Sequence, residues 1–240
     1  MLLFAYIYPR GVNSMKMFCI VKSHLIYYIL LILLMISSTY AFEEKNGNKL
    51  ANKVIVVDAG HGGIDSGATR PGVDEKDINL AVALQLKNIL NQKGAKVIMS
   101  RQTDMELSNE CDNEKVRGRY HRDLMARVEM VEESDADLFV SLHANAVRND
   151  KKRGAEVFYY NKSETGKILA NLIQTELYSV AGRSHSAQNA DYFVLRRNKI
   201  PAVLIELGYI TNTEERQLLL ASDYQQKLAR AIAEGICKFY

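Results

Sequence analysis

A chain of 240 residues has room for one domain with a full hydrophobic core and too little for two comfortable ones. Its 48% hydrophobic and 25% charged residues match globular averages, which excludes wholesale disorder. The net charge of +3 is carried by residues 1–41, which hold Arg10, Lys16 and Lys22 and no acid. The other 28 basic residues balance 28 acidic ones, so nothing asks for a nucleic-acid partner.

The leader comes first. Leu25 to Ile36 is an unbroken apolar run, preceded by Lys16 and Lys22 and followed by small polar residues and Ala41. The order basic, apolar, small is that of a secretory signal peptide. The run falls short of the roughly 20 apolar residues a membrane span needs. A retained anchor is the second reading, because the stretch before Lys22 is long and Tyr40 makes an imperfect cleavage site; Met15 and Met17 are alternative starts. Residues 1–41 are therefore a signal peptide or N-terminal membrane anchor, and the rest of the chain is expected outside the cytoplasm. Any membrane contact is expected through this segment only. Cys19 lies in the leader, and Cys111 and Cys237 read better as buried free thiols than as one isolated disulfide.

Residues 42–52 are polar and read as a linker to a domain over 53–240. Val54 to Asp58 is a short β-branched strand ended by Gly60, Gly62 and Gly63. Asp77 to Gln92 has Ile78, Val82, Leu86 and Ile89 on one helical face, with Gly94 as the residue just past its end. Lys96 to Ser100 is the next strand, giving a βαβ unit with parallel strands and a right-handed crossover. Leu107 to Arg119 is charged and aperiodic, hence a loop. A helix is expected over Asp123 to Ser134, then strands over Asp137 to Leu142 and Ala155 to Tyr159. A helix from Ser163 to Val180 follows, with Ser163 as N-cap, then a buried strand Ala202 to Leu207 and a closing helix Tyr224 to Phe239. The pattern predicts a single α/β domain: a mostly parallel twisted sheet with helices on both faces.

Ligands of such sheets bind outside the carboxyl ends of the strands. The polar residues expected there are His61 after the first strand, Glu75 before the first helix, His143 after the strand ending at Leu142, and Glu206 inside Val203 to Leu207. Taken singly, His61 reads as a loop residue, Glu75 as a solvated helix N-terminus and His143 as a satisfied core histidine. Glu206 is harder to set aside, because a carboxylate in an apolar strand costs several kcal/mol unless paired or facing a polar site; an arginine partner is its structural explanation. Together the four suit catalytic zinc, which takes three protein ligands, often two histidines and a glutamate, and keeps one position for water. His61, Glu75 and His143 supply the ligands, leaving Glu206 as general base. The chain has no HExxH helix, so an ordinary zincin is not expected.

At these residues the chain resembles the zinc-dependent N-acetylmuramoyl-L-alanine amidases over nearly all of Lys53 to Tyr240. Five blocks occur in order: Val56 to Asp65 with Gly67 and Ala68, Val73 to Leu80, Ser100 to Asp104, Ser141 to Asn145, and Pro201 to Asn212. The resemblance implies hydrolysis of the amide bond between N-acetylmuramic acid and L-alanine of peptidoglycan. It makes His61, Glu75 and His143 the zinc ligands and Glu206 the catalytic carboxylate. Asn145, beside a ligand, either touches substrate or forms a turn. Arg70 and Arg101 could meet acidic stem peptides but read first as surface or structural residues, and His121 and His185 have no assigned role.

Gly154 to Phe158 and Ile173 to Leu177 look most like the spore-cortex, germination-specific subgroup. That likeness implies a place in the cell wall or spore cortex and a polysaccharide deacetylase as working partner. An activator protein is a further candidate partner. Some relatives insert a helix that covers the zinc; the short connection from Tyr160 to Ser163 argues against one here. Two other readings stand beside the amidase: a zinc peptidase or deacetylase on other wall amides, and a non-catalytic peptidoglycan-binding or scaffolding protein that keeps the fold. The competent side chains at all four chemical positions disfavour the last.

Overall fold

A computed structural model describes residues 25–35, 48–181 and 186–240; Cys19, the leader's expected cleavage region, residues 42–47 and His185 lie outside these. Residues 25–35 form a helix (α1) with exposed apolar side chains. Among the described residues no helix is long and apolar enough to cross a membrane.

The second unit spans 47–240. In chain order it contains β1 (Val54–Ala59), β2 (Thr69–Arg70), β3 (Val73–Asp74), α2 (Glu75–Gln92), β4 (Lys96–Met99), α3 (Arg119–Glu133) and β5 (Leu138–Asn145). There follow β6 (Glu156–Tyr159), α4 (Glu164–Ala181), β7 (Gln188–Asn189), α5 (Phe193–Arg197), β8 (Ala202–Tyr209), α6 (Thr213–Leu220) and α7 (Ser222–Phe239). The main sheet has the order β4-β1-β5-β8-β6-β7, and β2-β3 form a small antiparallel pair. Strands β4, β1, β5 and β8 run parallel, as the βαβ reading requires, whereas β6 lies antiparallel to β8.

Side chains alternate between the faces of a strand, and the two faces have separate cores. Val57, Val140 and Ile205 face α2, α4 and α7, where they meet Val82, Leu86, Ile173, Leu228 and Ile232. Val56, Phe139 and Leu204 face α3 and α5, meeting Val128, Val131, Val194 and Leu195. Leu50, within the expected linker, is fully buried and its N–H donates to Lys93 O at 2.9 Å.

The helix ends follow local chemistry. Gly94 adopts φ +92° and closes α2, with Gly94 N–H on Asn91 O at 3.0 Å and Ala95 N–H on Leu90 O at 3.1 Å. Ser163 Oγ accepts from Gly166 N–H at 3.0 Å, so α4 is capped as expected and follows β6 after a short connection. Helix α3 begins at Arg119, four residues earlier than its apolar spacing suggests, because Arg119 to Arg122 bury no apolar side chain that would mark a helical face. The preceding loop is pinned to it: Glu129 accepts from Asp112 and Asn113 N–H at 2.9 and 3.1 Å, and Arg122 donates to Ser108 O and Cys111 O. Cys111 and Cys237 are free and buried.

Candidate active site

Two of the candidates, His143 and Glu206, stand on the sheet itself, on the side of α3 and α5, while His61 lies in the loop after β1 and Glu75 at the start of α2. Asp58 pairs in register with Ser141 and Ser141 with Leu204; beyond them His143 pairs with Glu206 and Glu206 with Glu156. The apolar strands β5 and β8 thus carry His143 and Glu206 towards the carboxyl edge of the sheet. A register shift between His143 and Asn145 marks where their regular pairing ends.

Glu75 opens α2 and is 5% exposed. Its Oε1 lies 3.1 Å from His61 Nε2 and 3.0 Å from His143 Nδ1, so one carboxylate oxygen is shared by two imidazoles. Ala144 N–H donates to the same oxygen at 3.1 Å and Ala68 N–H to Oε2 at 2.9 Å. Burial alone would raise the Glu75 carboxyl, but these bonds to both histidines hold it far below the usual carboxylate range. Burial alone would likewise lower His61; Glu75 and Asp65 outweigh it and raise the imidazole to about 9.

The loop after β1 is wound tightly around this cluster. His61 sits at φ +62°, a left-handed conformation rare outside glycine. Gly62 and Asp65 exchange backbone hydrogen bonds at 2.9 and 3.1 Å, which folds Asp65 Oδ2 to within 2.8 Å of His61 Nδ1. A carboxylate in that place fixes the imidazole's orientation and tautomer. Two positions exclude any side chain: a Cβ at Gly60 would overlap the His143 ring, and one at Gly67, itself at φ +66°, would press on Glu75 and His61.

His61, Glu75 and His143 offer ligand atoms that all lie within 4.8 Å of one another. Two imidazoles and a carboxylate are the donor set of a catalytic zinc site, so these residues fit the ion. Glu206 Oε2 is buried without a hydrogen-bond partner. Burial, reinforced by Glu75 and Glu156 against the pull of His143, pushes the Glu206 carboxyl up to about 7. The arginine that would have explained Glu206 structurally is elsewhere: Arg127, 2% exposed, pairs with Asp58 and with Asp123 at 2.9 Å. Burial acts to raise Asp58, but Arg127 and the Ser141 hydroxyl, donating at 2.6 Å, hold it below its ordinary value.

A cavity of about 230 Å³ opens beside His143 and Glu206, walled by Leu124, Tyr192, Val194 and Leu204. Tyr192 ends the segment before α5, and its hydroxyl is held above the ordinary range by burial and by Glu206 and Glu156. Asn145 does not form a turn. It closes β5 and points Nδ2 at Glu156 Oε2, 3.5 Å away, the oxygen that also accepts from Tyr209 Oη at 2.7 Å. Arg70 and His121 are exposed, whereas Arg101 is 2% exposed and bonded to backbone carbonyls. Asp58, Asp65, Glu156 and Tyr192 escaped the sequence reading. Asp58 offered the same signal as Glu206, a carboxylate inside an apolar strand; Asp65 reaches His61 through the local Gly62–Asp65 turn, and Glu156 and Tyr192 meet the site only through tertiary contacts.

The family model for N-acetylmuramoyl-L-alanine amidase matches residues 55–238. The chain belongs to this family. The chain is 35% identical over 216 residues to the germination-specific N-acetylmuramoyl-L-alanine amidase of Bacillus subtilis, covering 87% of this chain and 91% of that one. Its fold resembles the CwlD amidase from Clostridioides difficile, solved in complex with the GerS lipoprotein, with TM-score 0.73 and 40% identity over 78% of this chain and 98% of that chain. The catalytic domain of CwlV from Bacillus (Paenibacillus) polymyxa gives TM-score 0.67 and 32% identity over 78% and 97% of the respective chains. The single α/β amidase domain expected from sequence is therefore the one observed.

Proposed function

We propose that this amidase hydrolyses the bond between the lactyl carbonyl of N-acetylmuramic acid and the amino group of L-alanine in a zinc-dependent reaction. The observation that carries the reading is the pairing of a compact His61, Glu75, His143 donor set with a neighbouring carboxylate, Glu206, whose buried oxygen has no partner. His61, Glu75 and His143 would hold the ion, which when bound acidifies water and polarises a carbonyl. Glu206 takes the proton of the attacking water as the C–O bond forms and returns it to the alanine nitrogen as the C–N bond breaks. The products are a lactyl carboxylate on the glycan and a peptide with a free amine. Asp65 keeps His61 oriented throughout, the cavity beside Glu206 gives room for substrate groups flanking the bond, and Asn145, two residues beyond His143 at the end of β5, serves as a substrate contact.

Likeness to the germination-specific relative supports a role in germination; work on the spore cortex, outside the cytoplasm and alongside a polysaccharide deacetylase, rests on the sequence resemblance alone. Likeness to an amidase solved with a lipoprotein supports an activator of that class. The test is digestion of purified peptidoglycan by the zinc-loaded chain, with and without chelator, followed by mass analysis. Chelator-sensitive release of stem peptides with free L-alanine, leaving intact glycan, is the expected result. A zinc-loaded chain that binds peptidoglycan, alone and with a candidate lipoprotein, yet releases nothing would reverse the reading in favour of a binding protein.

A further inference from the structure

Two buried guanidinium groups converge on the backbone that carries His61. Arg101 Nε and Arg127 Nη1 donate to Ala59 O at 2.9 and 3.2 Å, Arg101 Nη2 donates to Gly60 O at 3.1 Å, and Arg127 Nη2 donates to His61 O at 3.1 Å. Three consecutive carbonyls are thereby held, ending on the residue with the left-handed φ of +62°. Such a conformation persists in a non-glycine residue only when its surroundings over-determine it.

The two arginines differ in one respect. Arg127 is compensated by Asp58 and Asp123. Arg101 forms no ion pair among the described residues; its hydrogen bonds go to the carbonyls of Ala59, Gly60, Thr103 and Lys76, the last at 2.7 Å. A buried cation without a carboxylate is costly, and an apolar side chain would serve packing alone. Lys76 follows Glu75 in the first turn of α2, so one guanidinium ties the backbone at His61 to the backbone at Glu75.

We infer that Arg101 is a positioning residue, with Arg127 as its second, and that it sets the spacing between His61 and Glu75 and hence the affinity for zinc. The inference rests on the zinc reading above. A lysine cannot replace Arg101, because a single ammonium cannot span the Ala59, Gly60 and Lys76 carbonyls in a fixed fork.

The test compares zinc dissociation constants of full-length wild type, Arg101→Gln and Arg101→Lys by chelator competition, well below each thermal midpoint. A control on the opposite face of the sheet, Gln174→Leu, loses buried bonds to Val157 N–H and Ala155 O and touches neither the His61 nor the Glu75 backbone. Arg101→Gln is expected to bind zinc about 10- to 100-fold more weakly, the range for residues that orient metal ligands. Arg101→Lys should also be weakened, and Gln174→Leu should keep wild-type affinity despite a lower midpoint. Excess zinc should restore kcat in Arg101→Gln with KM for peptidoglycan unchanged. Wild-type affinity in either Arg101 variant would overturn the inference, as would an equal loss in Gln174→Leu, which would mark general loosening. A wild-type chain that binds no zinc would sink the zinc reading itself, and this is seen before any variant is compared.

Discussion

Strands β1, β5 and β8 present Val57, Val140 and Ile205 to α2, α4 and α7, and one position later Asp58, Ser141 and Glu206 to α3 and α5. The first set is uniformly apolar and fully buried. The second is just as central in the sheet, yet it carries an ion pair, a hydroxyl and a carboxylate with an unpartnered oxygen. One face stores stability and the other spends some of it on a polar site. The division works because the period of a strand is two, so neighbouring residues belong to different interiors.

The comparison is sharpest in activity. Glu206→Gln keeps the volume and removes the proposed base, so kcat on peptidoglycan should fall about 10²- to 10⁴-fold, the usual worth of a general base. Steady-state assay of the zinc-loaded variant checks this, and a variant within a few-fold of wild type would move the base elsewhere.

On the polar face, Arg127→Leu leaves Asp58 buried without its counter-charge and should cost about 3–5 kcal/mol of stability in denaturant titration. The sign with pH follows from Asp58. Its folded pKa lies below the unfolded value, so the pair's contribution is present above about pH 4 and is lost as pH falls through the folded value. The deficit of Arg127→Leu should therefore shrink in acid. A deficit independent of pH would mean that packing, not charge, is what Arg127 supplies.

Glu206 should behave in the opposite sense. Its folded pKa is raised to about 7, so its own contribution to the stability of the metal-free chain is full below the unfolded carboxylate value and is lost as pH rises through 7. Metal-free Glu206→Gln should escape that loss and exceed wild type at pH 8 by about 1–3 kcal/mol. Equal melting curves at pH 5 and pH 8 for both chains would contradict the burial cost assigned to Glu206. The smallest effect belongs to the apolar face: Ile205→Val, next to Glu206 in sequence, should cost about 0.5–1.5 kcal/mol and leave kcat unchanged. A fall in kcat there would show that the two faces are mechanically coupled.

The apolar face was the easier one to read from sequence. Val54 to Asp58 and Val203 to Leu207 announce buried strands, and Ile78, Val82 and Leu86 announce the helix that covers them. Glu206 stood out because it interrupts such a run, and His61, Glu75 and His143 because the topology sends them to one edge. Asp58 is equally conspicuous, but in sequence it is the polar residue that ends an apolar run, which is what a strand end looks like. Arg127 and Arg101 gave no local sign, since their partners are 66 to 69 and 25 to 42 residues away apart from Asp123 and Thr103. The first turn of α3 and the short α5 were missed because neither shows an apolar period. The antiparallel placing of β6 depends on how β8 accepts it, which no pattern within β6 records.

The start of α2 behaves unlike most helix ends. First-turn amides ordinarily lack acceptors and exchange freely with solvent. Here Glu75 N–H donates to Ala68 O at 3.0 Å and Lys76 N–H to Ser66 O at 3.2 Å, while the Glu75 side chain is held by both imidazoles. Fraying of this helix and dismantling of the His61–Glu75–His143 cluster are thus a single opening event. Deuterium uptake at these two amides becomes an internal gauge of whether the site is assembled, readable in the absence of any substrate.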